Sequence, residues 1–209
     1  MRVFVAGASG ALGQRLVLEL RARGHQVVGT CHTPSRAGRL AELGAEPVVL
    51  DLLDPAAVTR AVVAARPDAI VHEATALAGH LDFHHFDRSF AATNALRTTG
   101  TDALLAAARA AGVRRFVAQS YALQYAREGG PVKTEDDPRD PDPPHDMRET
   151  YAAVRHLEHA VIEAGGLALR YGSFYGAPDD PQIELLRSGK FPLVGDGGGV
   201  WSFVHFEDM

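Results

Sequence analysis

Three glycines near the start of the chain carry the clearest chemistry. Gly7-Ala8-Ser9-Gly10-Ala11-Leu12-Gly13 has the spacing G-x-x-G-x-x-G. Glycines so placed allow a tight turn and a close approach of the backbone to phosphate. A helix opening there adds free N–H groups and the positive end of its dipole. The loop lies between the apolar run 2–6 and Leu12, Leu16 and Leu20, which recur every four residues. That strand–loop–helix setting makes Gly7, Ser9, Gly10, Ala11, Leu12 and Gly13 a predicted dinucleotide phosphate cradle. Cys31 is the one cysteine, so neither a disulfide nor a cysteine zinc site can form, and no basic residue is visibly placed to activate it. His80, His84 and His85 fall among Asp82 and Asp87. Their spacing alone would allow a metal, but nothing else supports one; the segment is expected to be a solvated loop or substrate rim. His156 and His159 are expected to be structural, and no metal is predicted. Of 21 basic residues only Lys133 and Lys190 are lysines. Any reaction that needs a lysine has two candidates.

The elements that must hold these residues alternate regularly. Buried strands are predicted at 2–6, 26–30, 46–50, 69–72, 114–118 and 167–171. Between them lie helical patterns: one ended by Gly24, one opened by Asp54-Pro55, an alanine-rich one over 95–111 ended by Gly112, and one over 149–164 ended by Gly165-Gly166. Strands alternating with helices imply an α/β fold, a Rossmann-like doubly wound parallel sheet. The segment 127–147, rich in proline and acidic residues, reads as a solvated loop or lid. Near the end, Gly195–Gly199 reads as a turn before strand-like Val200–Val204.

The chain as a whole resembles the extended short-chain dehydrogenase/reductases, the NAD(P)-dependent epimerase/dehydratase group. The glycine loop carries the resemblance, together with Asp51-Leu52, Val71-His72-Glu73-Ala74-Thr75, Gly100-Thr101, Arg114–Ser120, Arg170–Gly176 and Phe203–Asp208. It implies that Asp51 and Leu52 contact the adenine, and that Glu73, Ala74, Thr75, Arg97, Tyr171 and Ser173 line the cofactor. Residues 1–171 would be the dinucleotide-binding domain and 172–209 the start of a small C-terminal substrate-binding part, since members of the group continue further. Pairing through two long helices into a homodimer is implied by analogy.

Members that prefer NAD carry an acidic residue at the end of the second strand, to bind the ribose 2′-OH. Here that position is Cys31, next to His32, and Arg36 follows with donors suited to a 2′-phosphate. NADP(H) is therefore expected over NAD(H), with Cys31 a small residue near the adenosine.

The resemblance also assigns a proton relay: a tyrosine, a lysine four residues later that lowers its pKa, and a serine or threonine on the carbonyl. Free tyrosine titrates near ~10, so a cation beside it is chemically required. Tyr151 is followed at +4 by Arg155, a bulkier planar cation. The register is open. Aligning Glu158 on the glutamate that members carry after the lysine places Thr150 at the tyrosine and Val154 at the lysine. The hydroxyl falls on Tyr121, with Ser120 one residue early. Arg97 stands where members have asparagine, and Trp201 where sugar-nucleotide enzymes have an arginine that grips a diphosphate.

Three functions follow. The first is an NADP(H)-dependent ketone or aldehyde reductase for a small non-nucleotide metabolite, using Ser120, Tyr121, Tyr151 and Arg155. The second is a sugar-nucleotide epimerase or dehydratase, disfavoured by Trp201 and the missing lysine. The third is an NADP-binding sensor without catalysis. A net charge of -5 argues against a nucleic-acid or anionic-membrane partner. No apolar run suits a bilayer, the first residues read as a strand rather than a signal peptide, and a reducing cytoplasm is expected.

Overall fold

The computed structural model describes residues 1–77, 85–126, 128–176, 181–190, 198 and 200–208. Six parallel-sheet strands, β1 (Arg2–Ala6), β2 (Gln26–Cys31), β3 (Glu46–Val49), β4 (Ala69–His72), β5 (Arg115–Tyr121) and β6 (Leu167–Tyr171), are ordered β3-β2-β1-β4-β5-β6. The pairs β1–β2, β1–β4, β2–β3 and β4–β5 are all parallel, with Val3 opposite both Val27 and Ala69. Among the described residues six α-helices connect them: α1 (Ala11–Ala22), α2 (Ala37–Glu42), α3 (Pro55–Ala65), α4 (Phe86–Ala95), α5 (Thr101–Ala111) and α6 (Arg148–Glu163).

Central strands buried on both faces need apolar residues at every position, and β1 supplies them in Val3, Phe4, Val5 and Ala6. Phe4 and Ala6 pack with Ile70, Val58, Val62, Leu104 and Leu157 on one face; Val3 and Val5 pack with Val17, Val27 and Leu40 on the other. The helix ends follow local chemistry. Asp54 caps α3 by accepting from the amides of Ala56 and Ala57, with Pro55 in the first turn. Gly112, at φ +70°, closes α5 in a left-handed conformation.

The helix predicted over 95–111 is different in the structure. It starts at Phe86 and is interrupted by a π-helical turn, Leu96–Gly100, before α5. The carbonyl of Leu96 accepts from Nε2 of the His72 ring at 3.3 Å, a contact from outside the helix, as well as from the Thr101 amide five residues on. The expected strand at Val200–Val204 is also displaced. The strand there is β8 (Phe203–His205), which pairs in parallel with β7 (Ser173–Tyr175) in a second, two-stranded sheet. The turn residues Gly195–Gly197 and Gly199 lie outside the described residues, as do His80, Asp82, His84 and Arg127.

The chain forms two compact units: Met1–Ser120 with Pro143–Leu169, and Tyr121–Asp142 with Arg170–Met209. The second also contains the short helix α7 (Pro181–Arg187). Arg139, in the acidic segment, forms an isolated antiparallel bridge with Tyr125 just ahead of it, and both lysines belong to this unit. Among the described residues no helix is long and apolar enough to cross a membrane, and no group of three or more His, Cys, Asp and Glu is arranged to hold a metal ion.

Candidate active site

The glycine loop leaves β1 and enters α1 at the point where the strand order reverses, between β1 and β4. Each glycine has a separate steric reason. Gly7 sits at φ +87°, and a Cβ there would stand 2.6 Å from the backbone of Ala74. A Cβ on Gly13 would stand 2.3 Å from the Gly7 carbonyl oxygen, so a side chain would wedge helix from strand. At Gly10 it would meet only that carbonyl oxygen, at 3.3 Å, leaving an open outer side. Gly7 N donates to Oγ1 of buried Thr30 at 2.9 Å, which ties the loop to β2. No side chain caps α1 and no acidic residue occupies its first turn. The helix end is thus left to its own amides and dipole, a setting that fits a dinucleotide diphosphate.

Cys31 ends β2, buried, and burial pushes its thiol up against the opposing pull of Arg36. That is the state of a small packing residue rather than of a nucleophile. His32 and Arg36 are exposed. Arg36 Nη1 donates to the Ser9 carbonyl at 3.3 Å, so its guanidinium lies at the loop. Asp51 is exposed and accepts from the Leu53 amide, Leu52 is buried, and Ala74 and Thr75 follow β4 with increasing exposure.

Beyond β4, His72 and Glu73 are both buried. Burial holds the His72 imidazole down at about 4, Arg97 adding to the effect and the Leu96 hydrogen bond opposing it. The ring is neutral, with Nε2 donating to Leu96 O and Nδ1 accepting from the Ala74 amide at 3.4 Å. Arg97, in the π turn, is buried 5.9 Å from the Phe90 ring and reaches Asn94 Oδ1 at 3.5 Å.

Of the residues expected at the proton relay, Ser120 and Thr150 are held by side-chain hydrogen bonds. Ser120, near the end of β5, is buried and its Oγ donates to Glu158 Oε1 on α6. Thr150 Oγ1 donates to Asp87 Oδ1 at 2.7 Å and accepts from Asn94 Nδ2 at 3.0 Å. Asp87 also accepts from the amides of Glu149 at 3.0 Å and Thr150 at 2.8 Å. Met147 provides no cap for α6, so an aspartate more than sixty residues away does. The reading of Asp87 as part of a solvated loop is thereby corrected: it lies in the first turn of α4 and is bound to α6. Tyr151 is buried, and Arg155 lies one turn on and half-buried.

In the second unit, Arg170 Nη1 donates to the Tyr125 hydroxyl at 2.9 Å, the Tyr171 ring meets Phe174 edge-on, and Ser173 N donates to Ser202 O. Tyr121 opens this unit, and Trp201 is half-exposed rather than a core residue. Sequence reasoning missed Asp87 and Asn94 as frame residues, because their partner is distant along the chain. Glu158 was visible as a register marker only.

Residues 3–209 match the family described as the NAD dependent epimerase/dehydratase family. A 3-diazoavenalumate denitrifying reductase from Streptomyces sp is 45% identical over all of this chain and 69% of its own length. A 2-alkyl-3-oxoalkanoate reductase from Stenotrophomonas maltophilia is 32% identical over all of this chain and 62% of its own length. The UDP-glucuronic acid 4-epimerase from Bacillus cereus, solved with UDP-glucuronic acid and NAD, superposes with a TM-score of 0.76 over 100% of this chain and 70% of its own, at 21% identity. The chain thus spans between three fifths and about two thirds of the length of such relatives.

Proposed function

The chain belongs to the NAD-dependent epimerase/dehydratase family, and we propose that it is an NADP(H)-dependent reductase of a ketone or aldehyde on a small, non-nucleotide metabolite. The observation that carries the reading is the glycine loop at the strand-order reversal with the Arg36 guanidinium at Ser9 O. That cation is suited to a 2′-phosphate, and no acidic residue ends β2 to select the free ribose hydroxyl. When bound, the reduced nicotinamide supplies hydride. The chain's own residues bind the diphosphate at the amides of α1, hold the adenosine between Cys31 and Leu52, and present Tyr151 and Arg155 as the proton donor and its neighbouring cation. Residues 1–171 form the dinucleotide part and 172–209 begin the substrate part, where Trp201 in place of an arginine disfavours a nucleotide diphosphate. Two relatives with curated reductase names support the reading.

Thermal-shift titration tests the cofactor: NADPH is expected to raise the melting temperature more than NADH, and equal or greater stabilisation by NADH refutes the assignment. NADPH oxidation with a panel of ketones tests the activity on the full-length protein, and undiminished turnover in Tyr151→Phe removes that residue as the donor.

A second reading concerns the acceptor. The 45% identical relative is named for a diazo substrate and loss of nitrogen, and Thr150 Oγ1 is engaged by Asp87 and Asn94. Reducing a carbonyl leaves an alkoxide that must take up a proton. Reducing a diazonium carbon breaks C–N as C–H forms and releases dinitrogen, with no proton relay required. NADPH consumption matched by gas release rather than by alcohol favours this acceptor.

A further inference from the structure

Glu73 is the first residue after β4, at the carboxyl end of the sheet where the order reverses between β1 and β4. In open α/β sheets that crevice is where ligands bind. The Glu73 amide donates to Ala6 O at 2.9 Å, and a Cβ on Gly7 would stand 2.8 Å from the Glu73 carbonyl carbon. The backbone of Glu73 therefore packs directly on the first glycine of the phosphate loop.

Side chains along an extended segment alternate between faces. Val71 packs with the cluster containing Val5, Ala8 and Val17, on the side of α1, and His72 turns to the opposite face against Leu96 O. Alternation returns Glu73 to the side of α1 and its loop. Glu73 as a whole is 7% exposed, and its Oε2 is buried with no hydrogen-bond partner among the described residues. A buried polar oxygen without a partner is costly and calls for an explanation. Beside a phosphate cradle the simplest one is a ligand.

We propose that Glu73 is a cofactor-positioning residue that hydrogen-bonds the dinucleotide as an un-ionised carboxyl, donating its proton to a phosphate or ribose oxygen of the ligand. The proposal rests on the dinucleotide reading of the loop. The chemistry favours the neutral form, because a carboxylate accepts only and would repel a diphosphate, whereas a carboxylic acid can donate to it. Burial pushes the Glu73 carboxyl up to about 8, with no charged neighbour contributing.

The surrounding charges leave that window to Glu73. Val3–Ala6 of β1 and the loop Gly7–Gly13 contain no titratable side chain. His72, on the far face, is neutral above about 4. Arg97 beyond it and Arg36 at Ser9 O stay cationic. The Cys31 thiol on β2 is raised above its ordinary 9.0, and Glu158 on α6 is bonded to Ser120.

Fluorescence titration of NADPH and NADH against wild type and Glu73→Gln at pH 7, 8 and 9 tests the proposal. A cofactor that binds only the un-ionised form sees that fraction fall about tenfold between pH 7 and 9, so the wild-type Kd rises ~10-fold. Glu73→Gln keeps a donor at every pH, and its Kd is expected to stay within about twofold over the same range. The 2′-phosphate of NADPH ionises near ~6, below the window, and NADH lacks it, so both cofactors should give the same slope. Glu73→Leu is expected to bind without pH dependence and more weakly than Glu73→Gln. A flat wild-type profile overturns the proposal, and it needs no variant to fold. Equal slopes in wild type and Glu73→Gln also overturn it. If wild type binds neither cofactor at any pH, the dinucleotide reading itself fails, and the proposal with it.

Discussion

Replacing Glu73 by glutamine should change how the ligand-free protein responds to pH, with a sign and size set by one buried carboxyl. Its ordinary value is 4.5 and burial raises it to about 8 in the folded chain. The folded state then holds a proton that the unfolded state has released, so unfolding loses protons between those values. Stability from this group is complete below pH 4.5, declines as the pH rises, and is gone above about 8. One pKa unit corresponds to ~1.4 kcal/mol, so the full span is worth up to ~5 kcal/mol, and the interval from pH 5.5 to 8 about 3 kcal/mol. Glutamine does not titrate. The stability gap, Glu73→Gln minus wild type, should therefore widen by about 3 kcal/mol between pH 5.5 and 8.5, and every other ionising group cancels in the difference. Urea unfolding of both proteins at pH 5.5, 7.0 and 8.5, without cofactor, measures the gap. A gap constant to within ~0.5 kcal/mol would show that the carboxyl is ionised in the fold or solvated in it, and the argument from burial would be wrong.

Asp87→Ala removes three hydrogen bonds from the start of α6 and strips Thr150 of its acceptor. A lost cap and a buried hydroxyl without its partner should together cost ~2–4 kcal/mol in urea unfolding, and a loss under ~0.5 kcal/mol would mean that α6 is capped otherwise. Gly13→Ala places a Cβ 2.3 Å from the Gly7 carbonyl oxygen and should abolish the NADPH thermal shift. Gly38→Ala, where a Cβ meets nothing within 4 Å, should leave it intact, and equal shifts in both variants would refute the steric account. Arg36→Ala should weaken NADPH by about tenfold or more while NADH binding changes less than about twofold; parallel losses would place the guanidinium elsewhere than at the 2′-phosphate.

Much of this fold was legible because its signals are local. The apolar run Arg2–Ala6, the turn at Gly7 and the cap at Asp54 each depend on residues within a few positions, and the structure realises them. What escaped was decided at long range. Phe86–Ala95 was not read as a helix, because what secures it is its packing and the bonds from Asp87 and Asn94 to α6. The π turn was equally invisible, since a feature that accompanies it, the β4 imidazole at Leu96 O, comes from more than twenty residues away. At the candidate site the phosphate loop could be read from spacing, while Glu73 was one lining residue among several. Only its burial and lone oxygen distinguish it.

The π turn Leu96–Gly100 has a consequence for how this chain can vary in length. Helical structure runs without a break from Phe86 to Ala111, and the wide turn accommodates one residue more than an α-helix would. Deleting one of the five would let the α-helical ladder close, and because the wide turn already absorbs the surplus residue, the helix on either side would keep close to its present azimuth. Phe86, Phe90, Thr93 and Asn94 would stay in their buried positions, and Asp87 at the amides of Glu149 and Thr150. A residue deleted from α4 itself would instead turn everything upstream of it by ~100° about the axis. The turn is thus the place in this helical run where the chain can lose one residue without moving either flank.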